Sequence, residues 1–412
     1  MNAKIQQSTL ISKSKIKISG SKSETNRLLL LQALYPDLIL QNTSTSDDSI
    51  VMTAALTTQN ETIDIHHAGT AMRFLTAYFA TVENKTVILT GSERMKQRPI
   101  KILVDALNQL GADIQYLENH GFPPIKINGK KLQNNQVSLD ANISSQYISA
   151  LLLIAPKLNN GLKIKLLGSV TSAPYIKMTL ELLAQIGIQT QFENNQIDLL
   201  FCPILRHTTP IIVESDWSSA SYFYAIMALS PIGSQLELSS YKKHSLQGDS
   251  TLAALYEAFG VTTQFEKHHI ILTKTQLHNI APGGFIWDGT QSPDIAQTLA
   301  VTCFGLQIGC QLTGLHTLKI KETDRLEALQ TELAKLGATI NITQDSLQLM
   351  PADSINANIS ISTYNDHRMA MAFAPLALKT PLEIQDAGVV SKSYPDFWKD
   401  LQKIGFKISL NH

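Results

Sequence analysis

Lys22, Ser23 and Arg27 stand close together in the stretch SGSKSETNR, residues 19–27, and an apolar run, LLLLQAL, follows at once. Cations and hydroxyls at a helix start make an anion site, because the first-turn N–H groups lack partners and the helix end is itself positive. A P-loop is excluded, since that motif sets a second glycine ahead of its lysine and only Gly20 is present. Similar starts recur along the chain. Gly69 and Arg73 lie in HHAGTAMRF, Arg94, Lys96 and Arg98 in ERMKQRPI, Ser144, Ser145 and Gln146 in SSQY, and His367 and Arg368 in YNDHRMAMAF. Two more stretches carry carboxylates: Asp294 in SPDIA, and Glu322 between Lys321 and Arg325 in KETDRLEAL. Binding an anion gains nothing from a carboxylate, so Asp294 and Glu322 are candidates for general acid and base work. The implied ligand is a small molecule bearing several negative charges.

Each stretch also has an ordinary use. Ser21 and Glu24 fit a capping box. HHAGTAMRF suits a plain helix start with close packing at Gly69, and ERMKQRPI suits solvated surface. SSQY and SDWSSAS suit N-caps, and the latter brings no cation. Asp294 has a capping use, Glu322 fits a solvated cluster on a surface helix, and Asp366 fits an N-cap. The pairs His66–His67 and His268–His269 lack partners at metal-ligand spacing and read as structural.

Two helix types must position these residues. One is amphipathic and ends in a glycine before a short alternating strand: LVDALNQLGADIQ, LELLAQIGIQTQ, LAALYEAFGVTTQ, LQTELAKLGATIN and FWKDLQKIGFKIS, ending at Gly111, Gly187, Gly260, Gly337 and Gly405. A degenerate sixth copy, DDSIVMTAALTTQNETIDI at 47–65, lacks the glycine. The other type is apolar nearly all round and opens on small or capping residues: SKSETNRLLLLQAL, AGTAMRFLTAYFA, SSQYISALLLIA, WSSASYFYAIMAL, SPDIAQTLAVTCFG and YNDHRMAMAFAPLAL. Helices so apolar must be buried. The pattern predicts six units of one supersecondary type, three to each of two compact domains, with the buried helices' first turns carrying the chemistry.

At 412 residues two domains are the default. A hydrophobic share of 44%, a charged share of 17% and zero net charge fit a soluble globular protein, and argue against nucleic-acid and membrane partners. Cys202, Cys303 and Cys310 form no CxxC and no Cys/His ligand pattern, so neither a disulfide framework nor zinc is indicated; all three contexts suit buried, inert thiols. No apolar run resembles a signal peptide or a membrane span, and a cytoplasmic address is expected.

The order of GSKSETNR, AGTAMRFL, RMKQRPI, SSQY, Pro293-Asp294, KETDRLEAL and YNDHRMAMAF resembles the EPSP synthase family, from about residue 10 to residue 400. The resemblance implies an α/β fold, a two-domain inside-out α/β barrel of six βαβαββ repeats with the active site in the interdomain cleft. The domains would be 1–19 plus 215–412, and 20–214. It implies transfer of the enolpyruvyl group of phosphoenolpyruvate to the 5-hydroxyl of shikimate 3-phosphate, with release of phosphate, in the shikimate pathway to aromatic amino acids. No cofactor and no metal are implied, and a monomer is expected. Closure of the domains on binding is also expected, since two cation-lined half-sites repel until anions neutralise them.

By the same resemblance Lys22, Ser23, Arg27, Ser144, Ser145, Gln146, Ser172, Tyr175, Asp294, Thr317 and Lys321 would hold shikimate 3-phosphate. Lys22, Gly69, Arg98, Gln146, Arg325, Arg368 and Lys392 would hold phosphoenolpyruvate. Asp294 would be the base for the 5-hydroxyl, and Glu322 the proton donor or acceptor at C3, with Lys22, Lys392 and His367 assisting. The chain departs from the family pattern at His67 and Thr317, where asparagine is usual, and in reading ISGSKSETNR rather than Pro-Gly-Ser-Lys-Ser. A related transferase acting on UDP-N-acetylglucosamine is the nearest rival, but it normally uses a loop cysteine. A non-catalytic anion-binding protein of the same fold is the other alternative.

Overall fold

The computed structural model describes every residue except 141–143, 169–172, 206, 208, 268 and 412. One motif is built repeatedly. Strand Thr62–Asp64 leads into the buried helix Gly69–Thr81, then to strand Thr86–Thr90, which is parallel to the first. The outer helix Lys101–Gln109 follows, and an antiparallel pair, Asp113–Tyr116 and Ile125–Asn128, closes the sheet. The last strand of the motif sits inside its sheet, next to Thr86–Thr90, and the one before it lies at the edge. The same βαβαββ order and the same strand arrangement recur over residues 136–199 and 285–349.

Two further copies are split in sequence. Ser14–Ile16 pairs in parallel with Gln235–Ser239, although residues 20–213 intervene before the helix Trp217–Leu229 that joins them. The copy that begins at Ile359–Ile361 takes its inner strand from the start of the chain: Asn2–Ile5 lies between Leu382–Ile384 and Ile408–Asn411. The sixth copy is reduced to a parallel pair, Leu40–Gln41 with Ile211–Ile212, accompanied by the helices Lys22–Leu34 and Asp47–Thr57. Its missing strands match the missing glycine, since no left-handed turn sends that chain back into a hairpin.

The chain divides into two compact units, Met1–Ser19 with Glu214–His412, and Gly20–Val213. The apolar helices form the interior of each. Ala296–Gly305 is buried at every position and Trp217–Leu229 at all but Ser218. The glycine-ended helices bury one face only: Lys101–Gln109 covers Leu103, Val104, Ala106 and Leu107 and leaves the rest outward. Gly111, Gly187, Gly260, Gly337 and Gly405 all adopt positive φ, between 75° and 106°, the left-handed turn that lets the chain reverse into the next strand. Among the described residues no helix is long and apolar enough to cross a membrane.

Candidate active site

In unit Gly20–Val213 three buried helices start side by side. Gln146 Nε2 donates to Thr70 Oγ1 at 3.2 Å, joining two first turns. One turn deeper, Arg27 Nη2 donates to Ser149 Oγ at 3.1 Å. Lys22 is half-buried at the third start and its Nζ lies 3.3 Å from Asp48 Oδ2, a buried carboxylate. Ser21 stands at the N-cap position, but its side chain makes no capping bond, so the capping box does not form. Ser23 is half-buried and Ser145 buried, while Ser144 is exposed and caps its helix by accepting from Gln146 N.

Arg27 is 2% exposed. Its Nε donates to Thr179 Oγ1 at 2.8 Å and its Nη1 to the Ser23 carbonyl at 2.7 Å. Besides Ser149, Nη2 also reaches the Tyr175 carbonyl at 3.4 Å. The guanidinium lies 5.4 Å from the Phe74 ring centre and 5.9 Å from that of Tyr175. Four donor contacts are thus made inside the protein, and burial pulls the guanidinium down to about 10. Among the described residues one N–H on Nη1 remains, which Arg27 can offer a ligand directly.

Arg73 is buried as well, and braces a neighbouring loop. It donates to the Gly69 carbonyl at 3.2 Å and to the Pro99 carbonyl at 3.0 Å, and Tyr147 Oη donates to that same Pro99 carbonyl at 2.6 Å. Arg98 is thereby laid against Gly69: a Cβ added at Gly69 would stand 2.5 Å from Arg98 Nη1. Only glycine admits this approach. Burial, and then Arg98, lowers the Arg73 guanidinium. Of the ERMKQRPI cations, Arg94 is exposed and Lys96 pairs with Glu93 and Glu118, so both behave as solvated surface.

The unit holding both chain ends is organised around carboxylates. Arg325, its side chain 2% exposed, gives Nε to Asp366 at 2.6 Å, Nη1 to Asp294 at 2.8 Å and Nη2 to Glu322 at 2.8 Å. Asp294 is reached further by Lys321 at 3.6 Å and by Arg368 Nη2 at 3.3 Å. Burial alone would raise the Asp294 carboxyl, but Arg368, Lys321 and Arg325 outweigh it and hold the group well below the usual carboxylate range. Burial likewise opposes the charge of Arg325, yet Asp366, Glu322 and Asp294 push its guanidinium above the ordinary value. Lys392 Nζ donates to the Asn365 carbonyl at 2.7 Å. His367 is buried, with Nδ1 3.9 Å from Asp366 Oδ1. Thr317, half-buried, has its Oγ1 buried with no hydrogen-bond partner among the described residues.

Several expectations change. Asp294 does not cap; it sits inside the turn Pro293–Ile295 and its oxygens go to cations. Glu322 precedes the helix Arg325–Lys335, whose N-cap is Asp324, so it is not on a surface helix. Asp366 does cap, accepting from Arg368 N at 2.8 Å. In SDWSSAS, Asp216 caps as expected, but Ser218 also accepts from Arg368 Nη2, so the missing cation arrives from another helix start. Cys303 and Cys310 are buried, with burial pushing the Cys303 thiol up, whereas Cys202 is only half-buried. Ser172 and His268 lie outside the described residues. Asp48 and Asp249 were not legible in the sequence, because the partners of each come from other elements.

The fold is that of solved EPSP synthases. A structure of EPSP synthase from Acinetobacter baumannii superposes with a TM-score of 0.80 at 20% identity, covering 99% of this chain and all of that one. The profile of the EPSP synthase (3-phosphoshikimate 1-carboxyvinyltransferase) family matches residues 40–401. A 3-phosphoshikimate 1-carboxyvinyltransferase from Bacteroides fragilis is 47% identical over 402 residues, 97% of each chain. One from Aliivibrio fischeri is 36% identical over 420 aligned positions, 94% of this chain and 96% of the other. The chain belongs to the EPSP synthase family.

Proposed function

We propose that the protein transfers the enolpyruvyl group of phosphoenolpyruvate to the 5-hydroxyl of shikimate 3-phosphate. The observation that carries this reading is the Asp294 carboxylate, half-buried and set among Lys321, Arg325 and Arg368, one arginine away from Glu322. Such a group is a weak base while three cations surround it. In this reading Lys321 turns to shikimate 3-phosphate, and Arg368, with Arg325, Lys392, Arg98, Gly69 and Gln146, serves phosphoenolpyruvate. Lys22, Ser23, Arg27, Ser144, Ser145, Gln146, Ser172, Tyr175 and Thr317 serve the phosphorylated acceptor, and Lys22 serves both. As the substrate anions draw Arg368 and Lys321 away, burial regains its hold on Asp294, whose pKa rises until it accepts the 5-hydroxyl proton.

Glu322 in its protonated form gives a proton to C3 of phosphoenolpyruvate, C2 becomes electrophilic, and the C2–O bond to the acceptor forms. In the tetrahedral intermediate the C2–O bond to phosphate breaks, the C3 proton returns to Glu322, and the acceptor's proton leaves with phosphate. Cations that met the substrate anions also meet the charge that builds on the departing phosphate.

The test is phosphate release from shikimate 3-phosphate plus phosphoenolpyruvate. Wild-type protein is expected to turn over, and Asp294→Ala to lose about a thousandfold in rate while calorimetry still detects shikimate 3-phosphate binding. Turnover with a UDP-sugar instead would overturn the assignment, and full activity in Asp294→Ala would remove its role as base.

A further inference from the structure

Asp249 lies in the short turn Gly248–Thr251, 6% exposed and on none of the buried helix starts. Ser218 Oγ donates to its Oδ2. With its one proton committed there, Ser218 presents only lone pairs to its other neighbour, Arg368 Nη2, which donates to it at 3.3 Å. That same Nη2 lies 3.3 Å from Asp294 Oδ2, and Arg368 Nη1 donates to the Asp294 carbonyl at 3.1 Å. The guanidinium is therefore tied on one side to Asp294 and on the other, through a hydroxyl, to Asp249.

We propose that Asp249 is a positioning residue, which through Ser218 aims the Arg368 guanidinium and sets how much of its charge is available to phosphoenolpyruvate. The inference rests on the assignment of Arg368 to that substrate. Asp249 itself touches none of the reacting atoms in this scheme. Its replacement should therefore alter the apparent affinity for one substrate and leave the chemical step nearly alone.

The charge of Asp249 is adjustable in the working range of an enzyme. The groups facing it are Asp294 from the turn Pro293–Ile295, Arg368 from the helix His367–Phe373, and Asp216 and Ser218 from the start of Trp217–Leu229. Burial and then Asp294 push the Asp249 carboxyl up to about 7, against the pull of Arg368 and Ser218. Below that pH it is neutral, and Arg368 keeps its full charge for an incoming anion. Above it the carboxylate competes with phosphoenolpyruvate for Arg368, so KM for phosphoenolpyruvate rises.

Steady-state kinetics of the full chain test this, with wild type, Asp249→Asn, Ser218→Ala and the double variant compared at several pH values. Ser218→Ala is expected to raise KM for phosphoenolpyruvate about tenfold, with kcat and KM for shikimate 3-phosphate within about twofold of wild type. Asp249→Asn keeps the amide oxygen for Ser218 but cannot ionise. The ratio of wild-type to Asn-variant KM for phosphoenolpyruvate should therefore climb about threefold from about pH 6 to about pH 8.5, a comparison in which the substrate's own titration cancels. In the double variant the effects should be non-additive, because both substitutions cut one chain. An unchanged KM in Ser218→Ala, a flat ratio across pH, or equal losses for both substrates would overturn the proposal. Should Asp249→Asn fail to fold by thermal melting, the KM split in Ser218→Ala decides alone. Wild-type turnover separates the two ideas: without it the functional reading and this inference both fall, whereas with it silent variants remove only the relay.

Discussion

In unit Gly20–Val213 the buried arginines Arg27 and Arg73 hydrogen-bond to hydroxyls and carbonyls and lie over aromatic faces, whereas in the other unit Arg325 and Arg368 are ringed by carboxylates. Burial lowers the first two guanidinium groups, and carboxylates raise the second two in spite of burial. The first arrangement holds positive charge mainly on neutral partners, so that an incoming anion relieves it. The second stores cations and carboxylates against each other, so that binding can release a base. Lys22 with Asp48 is a carboxylate pairing at one of the first unit's buried helix starts, and it falls on the lysine assigned to both substrates. A receptor for anions and a site for moving protons thus differ less in their cations than in what holds those cations beforehand.

Removing a cation from each setting should expose the contrast most strongly. Arg325→Met strands Asp294, Glu322 and Asp366 without their shared partner, and is expected to cost about 3–5 kcal/mol in denaturant unfolding, besides abolishing turnover. A loss under about 1 kcal/mol would mean that the carboxylates are protonated or solvated, and would break the comparison. Arg27→Met should behave oppositely. The groups it leaves behind already satisfy one another in part, with Ser149 Oγ and Thr179 Oγ1 2.9 Å apart. Its stability should change by no more than about 1 kcal/mol while KM for shikimate 3-phosphate rises about a hundredfold. The smallest effect is expected from Gly69→Ala, where the new methyl group displaces the Arg98 guanidinium. KM for phosphoenolpyruvate should rise about tenfold with the melting temperature nearly unchanged. A variant with wild-type KM would show that Arg98 does not act from the position it holds against Gly69.

What was legible in the sequence is local or periodic. Gly337 after LQTELAKL and the all-round apolarity of VTCFG in its helix announce, without any tertiary knowledge, a helix stop and a buried element. Asp366 and Ser144 announce their caps for the same reason, since a cap is satisfied within a few residues. The site is harder, because its meaning lies in partners far along the chain. Arg27 was readable as a cation at a helix start, but not as one whose N–H groups go to Ser149, Thr179 and Tyr175. Ser218 looked like part of an ordinary cap until Arg368, 150 residues on, came to meet it. The capping box at Ser21 failed for the opposite reason: its residue types are right, but its hydroxyl is not used as a cap. Nor does any local signal reveal that Asn2–Ile5 completes a repeat begun at Ile359.

That last strand pairing bears on the order in which the protein is made. Gly20–Val213 is one continuous stretch, and every partner its elements need is present once that stretch has left the ribosome. Asn2–Ile5 emerges before that stretch, yet its two neighbours in the sheet, Leu382–Ile384 and Ile408–Asn411, emerge after it. While Gly20–Val213 is being made, therefore, Asn2–Ile5 carries both strand edges open, and the unit that stores its charges in mutual pairs is also the one whose sheet closes only after the other unit has been made.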